Sequence, residues 1–225
     1  MNLLFLIGIE GSGHHLFHNI CNWREKGRLH NLINNYFSND ITIERKNELK
    51  VTIRNYIKKH PNINHFELAS FPYKRPINSL RRYDIKEFYD LFKSIDNVNL
   101  FFIVTTRNII HSTLSAYDRF DKKISPIIEG KLQEDSLIYI NSQIQLLPEE
   151  SYMVVDYNNI CEKTEDFEKE FILRSGFEGI KFDSEKVRKS NKIYENHKYY
   201  KYFYEFFDEK RMKQFEFINS KIKNF

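Results

Sequence analysis

Glycine is the residue this chain most conspicuously lacks, with 7 among 225 positions. Three of those, Gly8, Gly11 and Gly13, fall in one six-residue stretch. Cysteine is equally scarce. Cys21 and Cys161 alone cannot build a disulfide framework, and they do not have the paired spacing of a zinc site. No run of roughly 20 apolar residues exists, which argues against a helical membrane span. No Asn-x-Ser/Thr acceptor occurs, and no repeat, low-complexity tract or Pro/Gly linker divides the chain. The apolar start, Leu3 to Ile9, lacks the basic flank of a signal peptide and runs straight into the glycines, so it reads as a strand. These absences predict one domain over residues 1–225, in a reduced, cytoplasmic setting.

Charge is present but concentrated. Lys186, Arg188, Lys189, Lys192, Lys198 and Lys201 face only Glu195 within residues 186–201, a local +5 in a chain of net +4, so the remainder is −1. That distribution argues against a globally basic nucleic-acid coat and favours a local anion site.

Short apolar runs at Leu3–Gly8, His65–Ser70, Leu100–Thr105 and Tyr152–Asp156 have the continuous hydrophobicity of parallel strands buried on both faces. Helical patterns separate them. Asp84 with Glu87 forms a capping box ahead of Ile85, Phe88, Phe92 and Ile95. A second helix starts at Thr164, turns Phe167, Phe171 and Ile172 inward and ends near Gly176. The tail from about Tyr199 to Ile222 reads as an amphipathic helix. The alternation predicts a three-layer α/β/α domain with a mainly parallel central sheet, like that of P-loop NTPases. Ligands of such sheets bind beyond the carboxyl ends of the strands.

The first strand leads into Gly8-Ile9-Glu10-Gly11-Ser12-Gly13-His14-His15, after which Leu16, Phe17 and Ile20 begin a helical pattern. Strand, glycine loop and helix together make a phosphate cradle, because glycines let amides turn inward and the helix N-terminus adds partial positive charge. A plain tight turn is the simpler alternative. The Gly-x4-Gly spacing is that of a P-loop, but His14 and His15 stand where Lys and Ser/Thr belong. ATP or GTP hydrolysis is therefore poorly supported. A second candidate phosphate site follows the strand Phe101–Thr106, where Arg107 sits at the strand tip and Ser115 lies eight residues on.

With the first loop, these residues resemble the sulfotransferases that use 3′-phosphoadenosine 5′-phosphosulfate (PAPS). In that family a loop, often Lys/Arg-Ser-Gly-Thr-Thr, holds the 5′-phosphosulfate; Ser12-Gly13-His14-His15 occupies the Ser-Gly-Thr-Thr places. An arginine after a strand, with a serine eight residues on, binds the 3′-phosphate; Arg107 and Ser115 match. Val154 to Ile160 resembles the family's strand and Tyr-Glu-Asp-Leu segment, which implies that Tyr157 lies near the adenine. Arg188-Lys189-Ser190 resembles a late Arg-Lys-Gly segment that also grips the 3′-phosphate.

The resemblance implies PAPS as co-substrate, no metal, and a small-molecule or carbohydrate-like acceptor. It implies a donor site formed by Gly11, Ser12, Gly13, His14, His15, Arg107, Ser115, Tyr157, Arg188 and Lys189. The chain also departs from the family: Gly11 falls where the loop cation belongs, and Ser70, before Phe71-Pro72, aligns with a frequent catalytic histidine. His14 is the first candidate for the base or for the missing cation. Glu67 and Glu10 are alternative bases, and a structural pairing of Glu67 with His65 is the competing expectation. The rivals are a P-loop kinase of a nucleotide or small metabolite, a nucleotide-binding module without turnover, and a nucleic-acid-binding domain. The near-neutral remainder of the chain disfavours the last.

Overall fold

A computed structural model describes residues 1–13, 27–38, 40–71, 84–120, 125–178, 185 and 194–223. The four expected strands are present, as β1 (Asn2–Ile9), β2 (Asn64–Phe71), β3 (Asn99–Thr106) and β4 (Tyr152–Asp156). A two-residue β5 (Ile222–Lys223) closes one edge. All pairs are parallel, in the order β2-β1-β3-β4-β5. Helices cover both faces, which gives the three-layer α/β/α arrangement.

Alternation along the strands divides the core. Phe5, Ile7, Ile9, Phe102, Val104 and Val154 point to one face. There they meet α1 (Arg28–Tyr36), α2 (Ile43–Lys59), α3 (Ile85–Lys93) and α5 (Pro126–Ile144). Leu4, Leu6, Phe101, Ile103, Met153 and Val155 point to the other, against α6 (Tyr157–Glu162) and α7 (Thr164–Ser175). Burial on both faces is why these strands read as unbroken apolar runs. Phe88 of α3 stacks on Phe5 with ring centres 4.1 Å apart, and truncating such a ring to Ala costs about 3–5 kcal/mol.

Local signals placed α3 and α7. Asp84 accepts from the Glu87 amide at 2.7 Å, so the expected cap of α3 is formed. Gly176 ends α7 with φ +67° while its amide donates to Ile172 O. Ahead of β2, α2 turns Leu49, Ile53 and Ile57 into the core at four-residue spacing. The tail is not one helix. It breaks into α8 (Tyr200–Phe206), α9 (Glu209–Lys213) and α10 (Glu216–Ser220), and its end joins the sheet as β5. Asp208 causes one break, because its carboxylate caps a new N-terminus at the Arg211 amide, 2.8 Å away. Among the described residues, no helix is long and apolar enough to cross a membrane.

The strand order fixes where a ligand can lie. The chain leaves β1 for β2 on one side and leaves β3 for β4 on the other. The topological switch therefore falls between β1 and β3, above Ile9 and Thr106.

Candidate functional site

Gly8 is a residue of β1, opposite Ser70 and Thr105. The glycine loop proper begins at Glu10. The Ser12 amide donates back to Ile9 O at 3.1 Å, which closes the turn. Gly11 and Gly13 have φ of +79° and +91°, values that side chains disfavour. Close packing reinforces the choice. A Cβ on Gly11 would overlap the Ser112 carbonyl oxygen and approach Ser115 Cβ to 3.0 Å, and one on Gly13 would overlap the Tyr157 ring. The loop is thus clasped by α4 (Ile109–Phe120) on one side and the start of α6 on the other.

Ser12 is fully buried, and its hydroxyl lies 3.0 Å from Thr105 Oγ1. The Thr105 hydroxyl donates its single proton to Ile7 O, so Ser12 is the donor to Thr105. Arg107 follows β3 directly. Its Nη1 donates to Gly11 O at 3.4 Å, and its guanidinium carbon lies 4.9 Å from the centre of the Tyr157 ring and 5.6 Å from that of Tyr194. Burial lowers the Arg107 pKa from its ordinary value, opposed by Tyr157, Tyr194, Cys161 and Asp156. A guanidinium stays charged through such a shift. Ser115, partly buried, lies against the loop at Gly11. The glycine loop, Arg107, Ser115 and Tyr157 are therefore gathered at the switch point.

Tyr157 is the first residue of α6, held in place by Asp156, whose carboxylate accepts from the Asn158 and Asn159 amides at 2.8 and 3.3 Å. Burial raises the Asp156 pKa, opposed by those two amides and by Arg107. Burial likewise pushes the Cys161 thiol, one turn along, up to about 11. Burial and then the Arg107 charge hold the His111 imidazole below its ordinary value.

Glu67 lies elsewhere. It sits in the middle of β2 opposite Phe5, four residues before the strand end, which is roughly 13 Å at the usual rise. It is fully buried; Oε1 is 2.7 Å from His65 Nε2, and Oε2 is 2.9 Å from His30 Nδ1. The pairing of Glu67 with His65 is thus present, extended by a histidine from α1. Glu10 is buried in the loop, and its carbonyl accepts from Gln133 Nε2 of α5 at 3.4 Å. His14, His15, Arg188, Lys189 and the segment after Phe71 lie outside the described residues.

Sequence reasoning missed three contributors. Tyr194 caps Arg107; only its position within the basic window hinted at this. Ser112 lies one turn before Ser115, and helical spacing puts the two on one stripe. A cleft of about 280 Å³ opens beside the site, where Thr106, Arg107 and Asp156 at the strand tips face Leu137, Phe215 and Ile218. No single segment encodes that cleft. Scans against protein-family models and curated proteins give no match to the chain.

Proposed function

We propose that the protein is a sulfotransferase, moving a sulfuryl group from PAPS to a hydroxyl or amine of a small-molecule or carbohydrate-like acceptor. The observation that carries this reading is the meeting at Gly11: Arg107 donates to its carbonyl, and Ser115 packs against its Cα. Two phosphate-binding motifs nearly 100 residues apart thereby face each other at the sheet's switch point, as a ligand with two separated phosphates requires. Tyr194 adds support, because it lies within the basic window and contacts Arg107.

In this reading the amides of Gly11, Ser12, Gly13 and His14 hold the 5′-phosphosulfate, with His15 as a side-chain donor. Arg107, Ser115 and Arg188 or Lys189 take the 3′-phosphate, and Tyr157 lies near the adenine. The acceptor oxygen attacks sulfur in line as the bond from sulfur to the bridging phosphate oxygen breaks. The acceptor proton passes to a base, and adenosine 3′,5′-bisphosphate leaves. His14 is the favoured base, or the replacement for the absent loop cation. Glu67 is the less favoured base, since both its oxygens already face imidazoles. The reading needs no metal and no nucleic-acid partner. It places the enzyme in the cytoplasm.

A nucleotide-binding module without turnover is the second reading. It is favoured by Gly11, which stands where the family's loop carries a cation and offers only its carbonyl, here facing Arg107. Calorimetry with adenosine 3′,5′-bisphosphate, magnesium ATP and 5′-AMP tests the donor. Tight, metal-independent binding of the first alone is expected, and preference for magnesium ATP would overturn the reading in favour of a kinase. Release of sulfate-labelled product from PAPS separates enzyme from module.

A further inference from the structure

His111 stands where a positive charge is disfavoured. It lies in the first turn of α4, at the positive end of the helix macrodipole. Asn108 caps that turn, accepting from the Ile110 and His111 amides at 3.0 and 3.3 Å. Arg107 comes directly before the cap. One ring touches both cation-forming side chains: the centre of Tyr194 is 5.6 Å from the Arg107 guanidinium carbon and 6.2 Å from the centre of the His111 imidazole. The Tyr200 ring lies 6.0 Å from the same imidazole.

Arg107 is close enough to act on that imidazole. Its charge, after burial, holds the His111 pKa below the ordinary value, and Glu195 opposes both. The titratable groups facing His111 are thus Arg107 ahead of α4 and Tyr194, Glu195 and Tyr200 of the tail. At neutral pH the ring is uncharged. It is partly exposed and makes no hydrogen bond among the described residues. A ligand therefore reaches it without displacing any part of the fold. Ser115 lies four residues on, a neighbour on the same helix face, and approaches the glycine loop at Gly11.

We propose that His111 is a proton-linked contact for a phosphomonoester held by Arg107 and Ser115: its imidazole takes a proton from solvent as the anion arrives and donates a charge-assisted hydrogen bond to it. The ligand class follows from the charges. A phosphomonoester is close to a dianion at neutral pH. One guanidinium offsets one of its charges, and a serine hydroxyl donates without charge. The anion also reverses what keeps His111 neutral, since it compensates both the guanidinium and the helix N-terminus. Under the donor assignment above, on which this rests, that group is the 3′-phosphate. The bound form then holds a proton that the free form lacks, so affinity falls as pH rises.

The test is His111→Gln, which keeps a hydrogen-bond donor but cannot take the proton, read by titration calorimetry at pH 6 and pH 8.5. For adenosine 3′,5′-bisphosphate, the affinity of the wild type divided by that of the variant is expected to be near one at pH 8.5. At pH 6 it should reach about 10-fold, the lower end for a charge-assisted hydrogen bond. The phosphate's own titration cancels in that ratio, because both proteins meet the same ligand. The ratio for 5′-AMP should not change with pH. If His111→Gln melts early, His111→Lys serves instead: it is charged at both pH values, so wild-type affinity should fall relative to it as pH rises. A bisphosphate ratio that is the same at both pH values overturns the proposal and leaves the donor reading standing. If 5′-AMP shows the same gain as the bisphosphate, the phosphate on Arg107 is not the 3′-phosphate; the donor assignment fails and this one stands. If neither nucleotide binds and inorganic phosphate shows no gain that depends on His111, both fail.

Discussion

The guanidinium carbon of Arg107 lies 4.9 Å from the centre of the Tyr157 ring, and the same ring fills the space where Gly13 would carry a side chain. One aromatic plane therefore couples the tip of β3 to the glycine loop. An arginine stacked in this way has lost much of its rotamer freedom before it meets an anion, so less ordering is left for the binding step.

That coupling separates charge from geometry at position 107. Arg107→Ala is expected to weaken adenosine 3′,5′-bisphosphate binding by about 10- to 100-fold, the size of a charge-assisted hydrogen bond, and to affect 5′-AMP far less. Arg107→Lys keeps the charge but loses the planar fork and the stack, so it should recover only part of the affinity. Equal losses for both nucleotides, measured by titration calorimetry, would remove Arg107 from the 3′-phosphate.

Gly13→Ala tests the contact from the other side. It forces a side chain into the left-handed region and into the Tyr157 ring, at a cost of about 1–3 kcal/mol. If the ring is the obstacle, the variant carrying both Gly13→Ala and Tyr157→Ala should be more stable than the sum of the single losses implies, by at least 0.5 kcal/mol or so. Urea unfolding of the four proteins measures this coupling, and strict additivity would show that Gly13 is needed for its backbone angle alone.

How much of this was legible depended on the range of the cause. The strands were legible because burial on both faces writes itself as contiguous apolar residues, as at Phe101 to Val104. Arg107 and Ser115 were legible because one strand tip and two helical turns fix their spacing. Gly8 was read as the end of the first strand, and it does belong to β1, which runs one residue further, to Ile9. The tail was read as one helix because its aromatics recur at helical spacing; the cap at Asp208 outweighed that pattern locally. Tyr194 on Arg107, and Gln133 on Glu10, were illegible because they join segments 87 and 123 residues apart through tertiary packing alone.

His14 carries the chemistry in the proposed mechanism, so binding and turnover should come apart there. His14→Ala is expected to abolish sulfate transfer while adenosine 3′,5′-bisphosphate still binds within a few-fold of wild type. Wild-type turnover by this variant would strike His14 from the mechanism and leave the acceptor to be deprotonated by another group.

Glu67 is the natural control, because its surroundings point to a structural role. It pairs with the buried His65 of β2 and the partly exposed His30 of α1. His65→Ala should lower the free energy of unfolding by about 1.5–3 kcal/mol, the range for a buried hydrogen bond to a charged group. Donor affinity should not change. Glu67→Gln should behave likewise, losing stability first and activity only with it. A Glu67→Gln protein that melts like wild type yet cannot transfer sulfate would identify Glu67 as the base.

Cys161 makes an alkaline prediction whose sign is set by burial. Its thiol ionises near 9.0 in an unfolded chain, whereas burial in α6 pushes it up to about 11. Between those values the folded chain keeps a proton that the unfolded chain has released. The unfolded state therefore binds fewer protons, and stability falls as pH rises. The contribution is whole below pH 9 and is lost as pH climbs through about 11. Tyr36 shifts in the same direction through burial and Glu87, so the wild-type curve alone does not isolate the thiol. Cys161→Ala isolates it. In a Cys21→Ser background, the stability difference between the protein that keeps Cys161 and its Cys161→Ala variant should be flat from pH 7 to 8.5 and should then shrink steadily towards pH 11. The buried thiol should also resist disulfide reagents at pH 8 until urea unfolds the chain. Rapid labelling of the folded protein, or a difference that stays constant to pH 11, would mean that the Cys161 thiol ionises freely and that α6 opens at Tyr157 under native conditions.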